Sequence, residues 1–249
     1  MNIRIGTAGW TLPKQHAHHF DIPNDPAAAH LTRYATRLNC VEINSSFHRP
    51  HLRKTWERWA LITPNNFRFA AKIPRTITHE AKLANTGALL QTFLDQAAGL
   101  GNKLGPLLIQ LPPSLQFDPG LAHEFFSTLR ELHPTCAVLE PRHATWFTPT
   151  ADRLLRDFDI SRAAADPPKG SSLAVHPSGS DNLRYYRLHG SPRTYYSGYT
   201  EAFLTNLAST LRSQTPTETW VIFDNTAANH ATQNALTLQH QLTSTVPSN

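Results

Sequence analysis

Cysteine is nearly absent: Cys40 and Cys136 are the only two in 249 residues, and both fall in apolar, strand-like stretches. That argues against a disulfide framework or a thiolate metal knuckle and leaves two buried thiols as the expectation. Long apolar runs are missing as well. No stretch approaches the ~18 residues a membrane helix needs, and Met1 leads through Asn2, Ile3 and Arg4 straight into a strand pattern without an apolar leader core. A cytoplasmic protein with no membrane partner is therefore expected. Polybasic blocks are absent too: 23 Lys and Arg against 18 Asp and Glu give a net charge of +5 and a pI near 9.4. This spread of charge favours anionic partners mildly and does not make a nucleic-acid-binding arm. The glycine-containing loop at 99–105 precedes a strand instead of following one, so it is not a dinucleotide or P-loop fingerprint. With 40% hydrophobic residues and a mean hydropathy of −0.38, what remains is a globular chain long enough for one large α/β core.

The stretch Val41 to Pro50 sets the grammar of that core. Val41 and Ile43 alternate with Glu42 and Asn44, the period of two that gives a strand one apolar and one polar face. Ser45, Ser46, His48 and Arg49 continue as a polar loop, and Pro50 opens a helical pattern. The same order recurs, predicting strands over 3–9, 41–44, 67–73, 106–111, 136–142, 160–166, 184–189 and 219–224. Helices are expected over 25–38 (capped by Asp25 and Pro26), 50–62, 87–100, 118–132, from 146 onward, 200–212 and 229–242. The stretch 167–182, rich in Pro, Gly and Ser, cannot sustain a helix. Eight strands alternating with helices predict a (β/α)8 TIM barrel over 1–243, with helix six reduced or replaced by a loop and 244–249 as a frayed tail. A doubly wound sheet competes, but would need a glycine-rich first turn or a readable order switch.

In a barrel all parallel strands end on one face, so Glu42, Asn44, Lys72, Gln110, Glu140, Arg142, Asp166, Arg187, His189 and Asp224 converge at the mouth. Such a set either fills the mouth with ion pairs or clamps an anionic ligand while a carboxylate or imidazole moves protons. Glu140 is the first candidate for acid–base work, with Glu42, His189 and Asp166 as the other catalytic candidates. Arg142 and Arg187 offer forks to phosphate or carboxylate, and Lys72 a point charge. Trp10, Asn44, Gln110, His143, Asp224, Asn225, His230 and Asn234 complete the expected binding set, although His143 and His230 also suit plain helix-start hydrogen bonding. Glu42, Glu140, His143, Asp166, His189 and His230 are ligand types that suit zinc or manganese, but no HExxH spacing exists and the interleaved cations would repel divalent ions. No cofactor is expected, with a divalent metal as the alternative. The loop carrying His16, His18 and His19 reads as solvated. Trp10, Phe47, Tyr195 and Tyr196 are possible stacking groups for nucleic acid.

The segments IGTAGW, VEINSSFHR, FRFAAKIPRTITHE, KLGPLLIQLPP, LEPRHATWF, YYRLHG and VIFDNTAANHATQNA, in this order, resemble the DUF72 family of YecE-like bacterial proteins. The resemblance implies a TIM barrel with its polar residues gathered at the C-terminal mouth. It implies no particular activity; a fold-level likeness to metal-dependent apurinic endonucleases suggests nucleic acid by analogy only. The chain departs from the family pattern at His48 (commonly Tyr), Pro141 (Phe), Asp224 (Asn) and Asn229 (Gly). Together these readings predict a hydrolase-type enzyme for a phosphate-bearing or otherwise anionic small substrate. An endonuclease-like nucleic-acid binder and a non-catalytic ligand-binding barrel are the alternatives.

Overall fold

The computed structural model describes residues 2–22, 30–213 and 218–244. Ten strands form one sheet: β1 (Ile3–Ala8), β2 (Cys40–Ile43), β3 (Arg68–Lys72), β4 (Leu104–Gln110), β5 (Ala137–Glu140), β6 (Ile160–Arg162), β7 (Ala164–Asp166), β8 (Ser178–Gly179), β9 (Leu183–Leu188) and β10 (Glu218–Phe223). Their order is β7-β9-β10-β1-β2-β3-β4-β5-β6-β8, and every pairing is parallel except β6 with β8. The expected sixth strand is broken at Ala163: its first half pairs with β5 and its second with β9, so the sheet closes on itself as a TIM-like barrel.

The helical layer comprises α1 (His30–Tyr34), α2 (Ser45–His48), α3 (Arg53–Leu61), α4 (Gly87–Ala97), α5 (Pro119–Leu132), α6 (Pro149–Asp157), α7 (Glu201–Ser213) and α8 (His230–Thr243). Local chemistry explains the clearest start. Asp118 accepts from the Leu121 amide at 3.0 Å, Pro119 occupies the first turn, and Ala122, Phe125, Phe126 and Leu129 bury one face. Between β7 and β9 only a 3-10 turn (Ser172–Val175) and the two residues of β8 replace the sixth helix, as its composition predicts. Three local expectations change. Residues 45–48 form a helical turn instead of a loop, the next helix begins at Arg53 instead of Pro50, and Thr76–Glu80 is a π-helical turn. The cap at Asp25 and Pro26 and the tail beyond Ser244 lie outside the described residues. Both cysteines are free thiols, Cys40 buried and Cys136 half-buried. Among the described residues no helix is long and apolar enough to cross a membrane.

Strand parity divides the core in two. Outward residues such as Val41, Ile43, Phe69, Ala71, Leu107 and Ile109 pack under the helices, while Cys40, Ala70, Leu108, Val138, Tyr185, Trp220 and Ile222 fill the barrel interior. Trp220 plugs the floor. Its ring stacks beneath Tyr185 at 6.0 Å, and it occupies the space a side chain at Gly105 would need, 2.7 Å from that position.

Candidate functional site

Two residues further along each strand the interior changes character. Cys40 gives way to Glu42, Ala70 to Lys72, Leu108 to Gln110, Val138 to Glu140, Tyr185 to Arg187 and Ile222 to Asp224. Two residues are roughly 6.6 Å along a strand, so an apolar layer is capped directly by a charged one. Burying that many charges costs several kcal/mol per ion unless each is paired and hydrogen-bonded.

Arg187 supplies most of the pairing. Its guanidinium is fully buried and forks onto Glu42, Nε to Oε2 at 2.9 Å and Nη2 to Oε1 at 2.7 Å. Nη1 donates to Glu140 Oε2 at 2.5 Å and Nη2 to Asp224 Oδ2 at 3.0 Å. Tyr185 donates to Glu42 at 2.8 Å, which ties the network to the stack on Trp220. Glu140 also accepts from Gln110 Nε2 at 2.9 Å and Arg142 Nη2 at 3.0 Å. His189 lies with Nε2 3.0 Å from Glu140 and Nδ1 2.9 Å from Asp224. A ring whose two nitrogens both face carboxylate oxygens is an imidazolium. Burial lowers its pKa, but Glu140 and the hydrogen bonds to Asp224 and Glu140 outweigh burial and raise it above the usual value. Burial likewise pushes Glu140 up, yet Arg187, His189 and Arg142 hold it well below the carboxylate range. Asp224 is lowered in the same way against its burial, chiefly by Arg187 and His189. Glu140 is thus a saturated carboxylate, and the donors of Arg187 face protein acceptors.

The other side of the mouth is different. Lys72 is 7% exposed, and its ammonium sits 4.2 Å from the Phe47 ring centroid without a hydrogen bond or ion pair among the described residues. Burial and Arg187 lower its pKa to about 8 against the partial compensation of Glu42, Glu140 and Asp224. Arg142 Nε and Asn44 Oδ1 are buried polar atoms with no partner. Phe47 comes from α2, the turn read as loop, and its ring meets His79 edge-on at 4.9 Å. His79 stands on the π-helical turn after β3, with Nδ1 2.8 Å from Thr78 Oγ1. Burial, Lys72, Arg75 and Arg142 lower its pKa, which keeps the ring neutral at pH 7. Tyr195, 39% exposed, packs edge-on against His189 at 5.8 Å. His79 is the residue that sequence reasoning missed; its signal was a polar run, Thr78 to Glu80, directly after a strand ending in Lys72.

Two residues expected at the mouth lie elsewhere. Gly9, at a φ of +78°, turns the chain as β1 ends, and Trp10 packs against Trp59 of α3, with ring centroids 5.1 Å apart. Asp166 shares parity with Ile160 and Ala164 and so points outward, where it accepts from the Tyr199 hydroxyl at 2.9 Å. Four more have structural occupations. His143 caps the turn Ala144–Trp146, and His230 begins α8 beside Gly198. Asn225 donates to Asn234 at 2.9 Å, and Asn234 clasps both backbone groups of Tyr199, which anchors the loop after β9. Asn229 has a φ of 65°, a left-handed position that Gly adopts freely and that Asn also tolerates. Among the described residues no three His, Cys, Asp or Glu side chains are arranged to hold a metal ion.

Comparison with known proteins agrees with this architecture. The DUF72 family model, described as a protein of unknown function, matches residues 4–248. UPF0759 protein YecE of Escherichia coli K12 is 35% identical over 143 residues, 55% of this chain and 52% of YecE, and the O157:H7 protein of that name is 35% identical over 82 residues, 33% of this chain and 30% of its own length. The chain spans about half the length of the curated relatives it matches, or less. Among solved structures, a DUF72 family protein from Enterococcus faecalis V583 superposes with a TM-score of 0.79 at 20% identity, covering 98% of this chain and 96% of that one. Another from Thermotoga maritima MSB8 gives 0.75 at 21%, covering 97% and 99%. With a TIM-like barrel, a charged layer at its C-terminal mouth and a family match across almost its whole length, the chain belongs to the DUF72 family.

Proposed function

We propose that the protein is a hydrolase-type enzyme whose substrate is a small phosphate-bearing or otherwise anionic molecule held at the barrel mouth. The observation that carries this reading is the unspent positive charge beside the saturated network. Lys72 has no counter-ion among the described residues, and Arg142 keeps a buried Nε without a partner. An anion arriving there gains charge-assisted hydrogen bonds in a poorly solvated site, where they are strongest. In this reading Arg142 and Lys72 anchor the substrate, and His79, whose lowered pKa leaves it able to accept a proton, takes one from the attacking water. Glu140, the first candidate on sequence grounds, serves instead as a rigid support, because a carboxylate receiving four donors is a weak base.

Inorganic phosphate and phosphorylated metabolites should raise the melting temperature. Arg142→Ala should weaken binding about tenfold or more, the value of one charge-assisted hydrogen bond. His79→Ala should abolish turnover while binding persists; a phosphate response equal in the Arg142 variant would sink the reading. Exposed Tyr195 and Tyr196, with Arg193 over the Tyr196 ring at 4.0 Å, favour single-stranded nucleic acid as a second reading. Its mark is binding that weakens steeply with salt. Assays with and without zinc or manganese test the metal alternative of either reading.

A further inference from the structure

Among the described residues two lysines are nearly buried, and they differ in one respect. Lys103 donates to the Ala60 carbonyl at 2.6 Å, the Thr63 carbonyl at 2.5 Å and Thr63 Oγ1 at 3.3 Å, which is how a buried ammonium is satisfied for structural ends. Lys72 is as buried, yet Arg187 has taken the carboxylates around it and leaves it an aromatic face. An amine so placed gains little from staying charged. Desolvation beside other cations is also the environment that activates a lysine as a nucleophile.

We propose that Lys72 condenses with the aldehyde or ketone of an anionic carbonyl compound to form a Schiff base at the barrel mouth. The neutral amine adds to the carbonyl carbon, forming the C–N bond while the carbonyl oxygen takes up a proton. The resulting hydroxyl then leaves as water as the C=N bond forms. The net change is one amine and one carbonyl to one imine and one water, with nothing oxidised or reduced. With its pKa near 8, Lys72 holds on the order of a hundredfold more neutral amine at pH 7.5 than an exposed lysine. His79, within electrostatic reach of both Lys72 and Arg142, can pass the protons. Arg142, with its unpartnered Nε, can hold the carboxylate or phosphate of the same molecule. The inference rests on the anion-binding part of the proposed function, with Arg142 as the anchor, and gives Lys72 covalent capture in place of electrostatic anchoring and His79 the protons of that step in place of those of hydrolysis.

The test is reductive trapping of the intact protein with glyoxylate and sodium cyanoborohydride at pH 7.5, followed by peptide mass mapping. The carboxymethyl group should fall on Lys72 at least about tenfold faster than on exposed Lys14, Lys54, Lys82 and Lys169, as its larger neutral fraction requires. Lys72→Arg, which keeps the charge and whose fold is checked by circular dichroism, should lose that fast modification. Melting-temperature shifts with phosphate are read in parallel. Marking of the exposed lysines with Lys72 untouched, while phosphate still binds, overturns the Schiff base and leaves the anion site. Fast marking of Lys72 with no phosphate response upholds the Schiff base and overturns the anion site; failure of both overturns both.

Discussion

The two sides of the mouth hold cations and treat them in opposite ways. On one side Arg187 is enclosed by Glu42, Glu140 and Asp224; on the other, Lys72 has no counter-ion among the described residues, and Arg142, which reaches Glu140 through Nη2, keeps its Nε unspent. The difference shows how buried charge can be sorted. A network in which every donor and acceptor is paired holds the structure together, and leftover charge beside it is what a ligand can use.

The largest effect that would test this contrast is Arg187→Leu. It strands three buried carboxylates and should cost at least 3–5 kcal/mol in urea unfolding, enough to threaten the fold. A loss below ~1 kcal/mol would erase the distinction between the two sides. Lys72→Met should have the opposite sign. A pKa of about 8 in the folded chain against 10.5 unfolded means that the unfolded state binds the extra proton between those values, so wild-type stability rises with pH across that window. At pH 7 the methionine variant should be more stable by roughly 2–3 kcal/mol, and the advantage should vanish by about pH 10.5. A destabilised Lys72→Met protein would show that the ammonium is paired after all.

His189 sharpens the picture in a narrower pH range. Its folded pKa is raised, so its stabilisation is complete below about 6.5 and lost as pH climbs through the folded value. His189→Gln should flatten the stability profile there, checked by denaturation between pH 5 and 9. Glu140 and Asp224, both lowered, contribute above their unfolded values and lose that contribution only in stronger acid. Asp166→Asn should do least: about 1 kcal/mol or less from the altered bond with Tyr199, and no change in anion binding.

Asp166 also shows how the sequence could be overread. Period-two alternation already groups it with Ile160, Arg162 and Ala164, the outward set, but its place at a strand end drew it into the mouth. Where parity and position agreed, at Glu42, Lys72, Gln110, Glu140, Arg187 and Asp224, the layer was readable before any coordinates. What could not be read was pairing. Nothing in the spacing of Arg187 says that its fork meets Glu42, 145 residues earlier, instead of a ligand. Trp10 was misplaced because a left-handed glycine redirects the chain, and His79 was missed because a π-helical turn does not announce itself in composition.

The break at Ala163 gives the ion network a mechanical meaning. The cylinder is closed by two strands of three residues each, and the helix expected after the second is replaced by a 3-10 turn, so this seam should be where amide exchange is fastest and where the barrel first parts under load. Arg187 on β9 reaches Glu140 on β5, the two strands that this thin seam separates. The bond therefore works as a clasp across the weakest join of the wall, and a variant that loosens it opens the vessel along with its contents.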